Sequence, residues 1–259
     1  MLAAEIYNFI DSLAPFGTQD GFDNAGFLVG SPEKEVRKAA VCLDITNEIV
    51  DECGEKGVDL ILSHHPVIFT KIRSLDEKSP VYRLIKNDIA AICAHTNLDM
   101  ARDGISDIMF SLMGFGSSEN APVLNLVHKS EGLGYGRIAR LDKPVNADEL
   151  AEAAKKAFSC GSVKYCNGGR PITLVAVCSG AGNDEVYTCI KKNIDALITG
   201  DVKHHGFVDA YNAGLTVIDA GHYCTENIVC GMLLGRLKEK FPETEFFIPD
   251  ANREVCRYI

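Results

Sequence analysis

Short apolar runs alternate with helical periodicity along most of this chain. That alternation restricts the fold to sheets flanked by helices, with largely parallel strands. Buried strands are expected at residues 36–43, 58–62, 89–94, 172–178, 195–198 and 215–219. Between them, helical spacing covers 46–56, 80–87, 105–113, 147–158, 183–192, 203–213 and a long stretch at 224–240. Residues 3–14 open with a helix that keeps Ile6, Phe9, Ile10 and Leu13 on one side. Asn146 is placed to cap the helix at 147. Further strands are expected at 27–29, 133–140 and 246–248.

The alternation contains a faint echo. Lys56-Gly57-Val58-Asp59-Leu60-Ile61-Leu62-Ser63-His64-His65 resembles Lys192-Asn193-Ile194-Asp195-Ala196-Leu197-Ile198-Thr199-Gly200-Asp201. Each is a helix end, a turn and a buried strand with a polar finish. In each case a helix and another apolar strand follow, ending in His95 or His222. This predicts an α/β protein of two related halves facing each other, 1–125 and 126–259. The C-terminal helix would return from the second half to a shared site. Two units do not make a solenoid.

The 259 residues are 46% hydrophobic and 24% charged, enough for a sizeable core without staples. The formal charge of -10 repels nucleic-acid phosphates, and no Lys/Arg block reverses it locally. An anionic small molecule stays compatible, because a bound metal outweighs the bulk field locally. The 10 cysteines form no C-x-x-C pair, which disfavours a cysteine-based zinc site and fits reduced, buried thiols. No segment approaches the ~18 apolar residues of a membrane span. The opening residues carry neither a basic nor an apolar signal region, so the cytoplasm is the expected location.

Ligand sites in open α/β sheets lie beyond the carboxyl ends of strands. Four such ends here are unusual: Ser63-His64-His65-Pro66, the segment from His95 to Asp99, the segment from Gly200 to His205, and the segment from Asp219 to Glu226. Six of the seven histidines fall in them, and His128 alone lies elsewhere. Imidazole and carboxylate donors suit Zn, Fe, Mn or Ni better than Ca or Mg. His64 and His65 can splay just past a strand end to reach two neighbouring ions. His222 and Glu226, spaced i, i+4, share one helix face that continues through Val229 and Leu233 into the core.

Each piece also has a plainer reading. The histidine pair suits a capped loop, Asp99 a turn, and His222 with Glu226 an ordinary helical pair. Asp201 suits the N-cap of helix 203–213, and His95 a hydrogen-bonded core histidine. Cys178-Ser179-Gly180-Ala181-Gly182 reads as a tight turn rather than a phosphate cradle, since it lacks the P-loop lysine. Asp23-Asn24 reads first as a turn and second as the edge of a site. The metal reading gains its weight from the recurrence of donors at strand ends.

With these segments in order, and Asp23-Asn24-Ala25-Gly26-Phe27 ahead of them, the chain resembles the GTP cyclohydrolase I type 2 homologs, also called Nif-three-like dinuclear metal centre proteins. The resemblance spans nearly the whole chain. It implies two similar α/β halves, a toroidal homohexamer and a centre of two divalent metal ions per subunit facing the interior. By motif match the ligands would be His64, His65, Asp99, His222 and Glu226, with Glu226 a candidate bridge. His95 and Asp201 would stand behind the ligands or face the substrate, as candidates for proton transfer in catalysis. Phe22 stands where the family frequently has Trp, and the length leaves no room for the domain some relatives insert. The implied activity is that of a metal-dependent hydrolase, with activated water attacking a nucleotide ring or similar small molecule. The alternative is a non-enzymatic metal-binding or regulatory scaffold acting through protein interactions. A nucleic-acid-binding ring is the weakest reading, given the charge.

Overall fold

The structure is a computed structural model that describes residues 1–257. The chain forms two compact units. The first combines Met1–Leu98 with Val229–Val255, and the second is built on Asp99–Ile228. In chain order the first unit supplies α1 (Ala3–Leu13), β1 (Gly26–Val29), β2 (Lys38–Cys42), α2 (Asn47–Glu55), β3 (Leu60–Ser63), α3 (Pro80–Lys86) and β4 (Ala90–Cys93). A short helix, α4 (Thr96–Met100), carries the chain onward. The second unit holds α5 (Ile105–Leu112), β5 (Val123–His128), β6 (Leu133–Val145), α6 (Ala147–Ala157), β7 (Lys164–Cys166), β8 (Ile172–Ala181), α7 (Glu185–Lys191), β9 (Ala196–Gly200), α8 (His204–Ala213), β10 (Thr216–Asp219) and α9 (His222–Glu226). The chain ends in α10 (Ile228–Lys240) and β11 (Glu245–Phe247).

The first unit's sheet has the order β1-β4-β3-β2-β11. Its strands are parallel except β1, which runs antiparallel to β4. The second unit's sheet has the order β5-β6-β8-β9-β10-β7. Here β8, β9 and β10 are parallel, and the outer strands β5, β6 and β7 add antiparallel pairs. The expected parallel pattern thus holds for the centre of each sheet.

The echo in the sequence is an echo in structure. In the first unit Asp59 Oδ2 accepts from the backbone N–H groups of Arg37 (2.8 Å) and Lys38 (3.1 Å) ahead of β2. In the second, Asp195 Oδ2 accepts from those of Thr173 (3.0 Å) and Leu174 (2.8 Å) on β8. The strands after these aspartates pair in equivalent register: Leu60 lies opposite Ala39 and Ala90, and Ala196 opposite Val175 and Thr216. One aspartate per unit therefore locks the entry of a three-stranded parallel core.

Both faces of the second sheet are covered. Val175, Val177, Ile198 and Ile218 pack on one face with residues of α5 and α6. Ala176, Cys178, Leu197 and Val217 pack on the other with residues of α7 and α8. In the first unit Ile49, Val50 and Cys53 of α2 and Leu84 of α3 share a core with Ala40, Cys42 and Ile61. Helix α6 begins with the N-cap its sequence suggests, and Glu149 completes a capping box: Asn146 Oδ1 accepts from Glu149 N–H at 2.9 Å, and Glu149 Oε2 accepts from Asn146 N–H at 3.0 Å. Among the described residues no helix is long and apolar enough to cross a membrane.

Four local expectations need correction. The residues 178–182 are strand as well as turn: β8 continues to Ala181, which pairs with Gly200 of β9, and the chain turns at its end, where Gly182 N–H donates to the Gly180 carbonyl at 3.1 Å. Asp201 does not cap α8. Lys203 holds that position, and the Asp201 carboxylate is bonded to His222 instead. The long helix at 224–240 is broken into α9 and α10. The Thr225 hydroxyl turns back to the carbonyls of Gly221 (3.0 Å) and His222 (2.9 Å), competing with the helical ladder just before the break. Strands β5 and β7 were not expected, being edge strands with exposed or half-buried residues rather than apolar runs.

One structural device escaped the sequence reading. Arg137 on β6 is fully buried and donates to both carboxylate oxygens of Asp107, at 2.8 and 2.9 Å. It also donates to the carbonyls of Gly134, Gly136 and Ala101. Five donors with five acceptors offset the large cost of burying the charge.

Candidate metal centre

In the first unit three imidazoles gather beyond the carboxyl ends of β3 and β4. The backbone N–H groups of His64 and His65 donate to Cys42 (3.2 Å) and Leu43 (2.9 Å), extending the β2–β3 ladder past β3. His64 is fully buried, and its Nδ1 donates to the Ala94 carbonyl at 2.8 Å. His65 Nδ1 donates to Asp44 Oδ1 at 2.7 Å. His95 Nδ1 donates to Asp23 Oδ1 at 2.8 Å. One ring nitrogen from each of His64, His65 and His95 lies within 4.8 Å of the others.

Asp23 therefore shapes more than a turn. It accepts from His95, from Thr96 N–H at 3.0 Å and from the Thr96 hydroxyl. Burial would raise its pKa, but these hydrogen bonds and the neighbouring imidazole outweigh burial and hold it at about 2. Asn97 braces the same corner. Its Oδ1 accepts from His95 N–H, and its Nδ2 donates to the Ala14 carbonyl at 2.7 Å.

In the second unit the donors are Asp99, His222 and Glu226. Asp99 lies on α4, where its Oδ1 accepts from the Ser179 hydroxyl at 2.9 Å. His222 opens α9, with its Nδ1 donating to Asp201 Oδ2 at 2.8 Å. Its Nε2 lies 2.9 Å from Oε2 of the buried Glu226. With Nδ1 as the donor to Asp201, Nε2 carries a lone pair. A lone pair facing a carboxylate oxygen this closely calls for a proton between them or a metal ion. Asp99 and Glu226 also bring carboxylate oxygens within 4.8 Å of each other.

Gly180 shows how tightly the carboxylate is housed. It adopts φ +60°, and a Cβ there would lie 1.9 Å from Glu226 Oε1 and 3.4 Å from His222 Nε2. The space a side chain would fill is taken by the donor pair.

The residues fit a group of divalent metal ions. All four imidazoles commit Nδ1 to a carbonyl or carboxylate, which leaves Nε2 as the donor atom and fixes each ring. Each of the five residues expected as ligands lies in one of these two sets, His64 and His65 in the first unit and Asp99, His222 and Glu226 in the second. His95 joins the first set and Asp201 stands behind His222. His204 and His205, also at a strand end in sequence, lie exposed on α8 outside both sets. Asp44 went unrecognised in the sequence, and Ser179 and Gly180 were read only as parts of a turn. For Asp44 a signal existed, since it follows the carboxyl end of β2 as the histidines follow β3 and β4.

The family model of Duf34/NIF3 (NGG1p interacting factor 3) matches residues 1–253. The chain belongs to the DUF34/NIF3 family. Similar members include the GTP cyclohydrolase 1 type 2 homolog of Clostridium acetobutylicum, 34% identical over 227 residues, covering 86% of this chain and 84% of that protein. Another is the homolog of the same name from Clostridium perfringens, 31% identical, covering 98% of both chains. Among solved structures, Staphylococcus aureus hypothetical protein SA1388 superposes with a TM-score of 0.88 at 26% identity, over 100% of this chain and 99% of that one. Reduced HcgD from Methanocaldococcus jannaschii does so with a TM-score of 0.81 at 28% identity, over 96% and 98%. The two-sheet α/β architecture is thus the DUF34/NIF3 fold over its whole length.

Proposed function

We propose that this DUF34/NIF3 protein binds two divalent metal ions and is a metal-dependent hydrolase of nucleotide-like substrates. The observation that carries the reading is the shared arrangement of His64, His65, His95 and His222. Each ring ties Nδ1 to a carbonyl or carboxylate and presents Nε2. Three of the four partners are carboxylates, Asp44, Asp23 and Asp201, and such backing of Nδ1 orients metal-binding imidazoles.

In this reading His64, His65, Asp99, His222 and Glu226 would hold two divalent ions, with Zn, Fe, Mn and Ni all suited to the donors. When bound, such ions polarise an electrophilic substrate and acidify water. Asp44 and Asp201 orient His65 and His222 and strengthen them as donors. Asp201 is engaged by His222, so its part is orientation rather than proton transfer. His95, backed by the ionised Asp23, is the group for moving a proton to or from the substrate. The name carried by the relatives supports a nucleotide as substrate class, with the guanine ring as the electrophile. A centre with two divalent ions also offsets the net charge of -10 toward a phosphate-bearing ligand. The homohexamer belongs to the same proposal and is checked by light scattering.

The test is elemental analysis followed by turnover. The purified protein should carry two metal ions per chain and release formate from GTP, or hydrolyse a related cyclic amide or phosphate. Glu226→Ala and His64→Ala should abolish both metal binding and turnover. Unchanged turnover in either variant overturns the assignment. Two tightly held ions without turnover on any of these substrates would make the protein a metal-binding scaffold instead.

A further inference from the structure

Phe22 and Phe69 break the burial pattern of their residue type. Of the twelve phenylalanines they alone are exposed among the described residues, at 66% and 51%. Phe69 sits beside His95, and Phe22 beside Phe69. The two rings meet at 6.4 Å with planes inclined by 60°. Phe69 also stands edge-on to His95, 6.1 Å away at 84°.

The pair is built onto the site. Phe22 precedes Asp23, whose carboxylate is fixed by His95 and Thr96. The next residue, Asn24, donates from Nδ2 to the Ile68 carbonyl at 2.6 Å, immediately before Phe69. Thus the segment bearing Phe22 is tied to the segment bearing Phe69, and both are tied to His95. Inclined aromatic faces held in place beside an imidazole suit a flat ring, which stacks on one face and meets the edge of the other. An aliphatic chain or a bare sugar gains no such stacking.

We infer that Phe22 and Phe69 form a ring-binding subsite that stacks a purine-type heterocycle beside His95. Phe22 and Phe69 are then the positioning and specificity-determining residues of the centre. This rests on the hydrolase reading and assigns the residues that hold the ring of its nucleotide substrate.

The test separates the ring from the phosphates and needs no turnover. Metal-loaded wild-type protein and the Phe22→Ala/Phe69→Ala double variant are titrated with GTP and, separately, with tripolyphosphate, which offers phosphates without a ring. The double variant should bind GTP about tenfold more weakly, with tripolyphosphate affinity and metal content unchanged. Saturation-transfer NMR should reach the purine H8 of GTP and of guanosine in the wild type and be lost in the double variant. The Phe22→Tyr/Phe69→Tyr variant, which keeps both rings, should match the wild type. Equal weakening of GTP and tripolyphosphate, unchanged GTP binding, or no transfer to H8 in the wild type overturns the subsite. If the wild type holds no metal yet transfers saturation to guanosine through these two rings, the metal reading falls and the subsite stands.

Discussion

Gly180→Ala is the sharpest perturbation of the centre, because it adds one methyl group where Glu226 lies. The added Cβ would sit 1.9 Å from Glu226 Oε1 and 3.0 Å from its Cδ. Real Cβ contacts do not fall below 3.0 Å, so the carboxylate or the strand must move by more than 1 Å. Glu226 is buried at the end of a short helix and cannot swing into water as a surface side chain would. Alanine at φ +60° adds about 1–2 kcal/mol of backbone strain. Breaking the charge-assisted contact between Glu226 and His222 costs about 1.5–3 kcal/mol more. Metal–carboxylate bonds are about 2.0–2.2 Å long, so a donor displaced by 1 Å no longer ligates. Metal affinity should therefore fall by at least the 10–100-fold typical of damage behind the ligands.

The measurement is a competition titration against a chromogenic chelator, with metal counted per chain and unfolding followed in denaturant. Gly235→Ala on the exposed side of α10 is the control. Nothing lies within 4 Å of a Cβ there, and replacing a mid-helix glycine should add roughly 0.5–1 kcal/mol of stability. If Gly180→Ala binds metal with wild-type affinity and count, Glu226 is not a donor in the position described.

Asp44→Asn and Asp201→Asn keep the size of the groups that hold His65 and His222 but remove their charge. Each should weaken metal binding about 10–100-fold with little change in unfolding midpoint. Asn tolerates the φ of +52° at position 201, so a backbone effect would not confuse the result. Loss of metal affinity below threefold in both would refute their orienting role. Asp107→Leu leaves Arg137 buried without its carboxylate and should cost about 3–5 kcal/mol in denaturant unfolding. Adding Arg137→Met should recover much of that, and a loss under 1 kcal/mol in the single variant would refute the argument. Acid should act through Asp23. Its folded pKa of about 2 lies below the ordinary 3.8, so on acidification the unfolded chain takes up this proton first. Its contribution, on the order of 2 kcal/mol, is complete above pH 4 and is lost as pH falls through 2. Asp23→Asn should be less stable than the wild type at neutral pH, with the gap closing over that window. A gap that stays constant with pH would refute it.

What was legible in the sequence follows from what each strand faces. Strands β2, β3, β4, β9 and β10 lie in sheet interiors and read as apolar runs. Strands β5 and β7 lie at sheet edges, where half their residues meet water and no run survives. Ser179-Gly180-Ala181-Gly182 has the composition of a turn, but its glycine serves the close approach of a carboxylate from α9. Composition cannot tell those two uses of glycine apart, since both call for a missing Cβ.

The donors were visible by type, whereas their orientation is a property of parallel register. Cys42, Ser63 and Cys93 lie level at the carboxyl ends of β2, β3 and β4. Two residues beyond each stand Asp44, His65 and His95, so neighbouring strand ends deliver a carboxylate and two imidazoles to one height. The bond from His65 to Asp44 follows from that offset. In the second unit Thr199 and Asp219 lie level on β9 and β10. Asp201 comes two residues after the first and His222 three after the second, and they bond in turn. A histidine at the carboxyl end of such a sheet therefore finds its orienting partner at the same depth past an adjacent strand, and not near itself in sequence. That rule explains why the adjacency of His64 and His65 carried so little weight alone. It also explains why Asp44, with no histidine beside it in the chain, could be found only by aligning the ends of neighbouring strands.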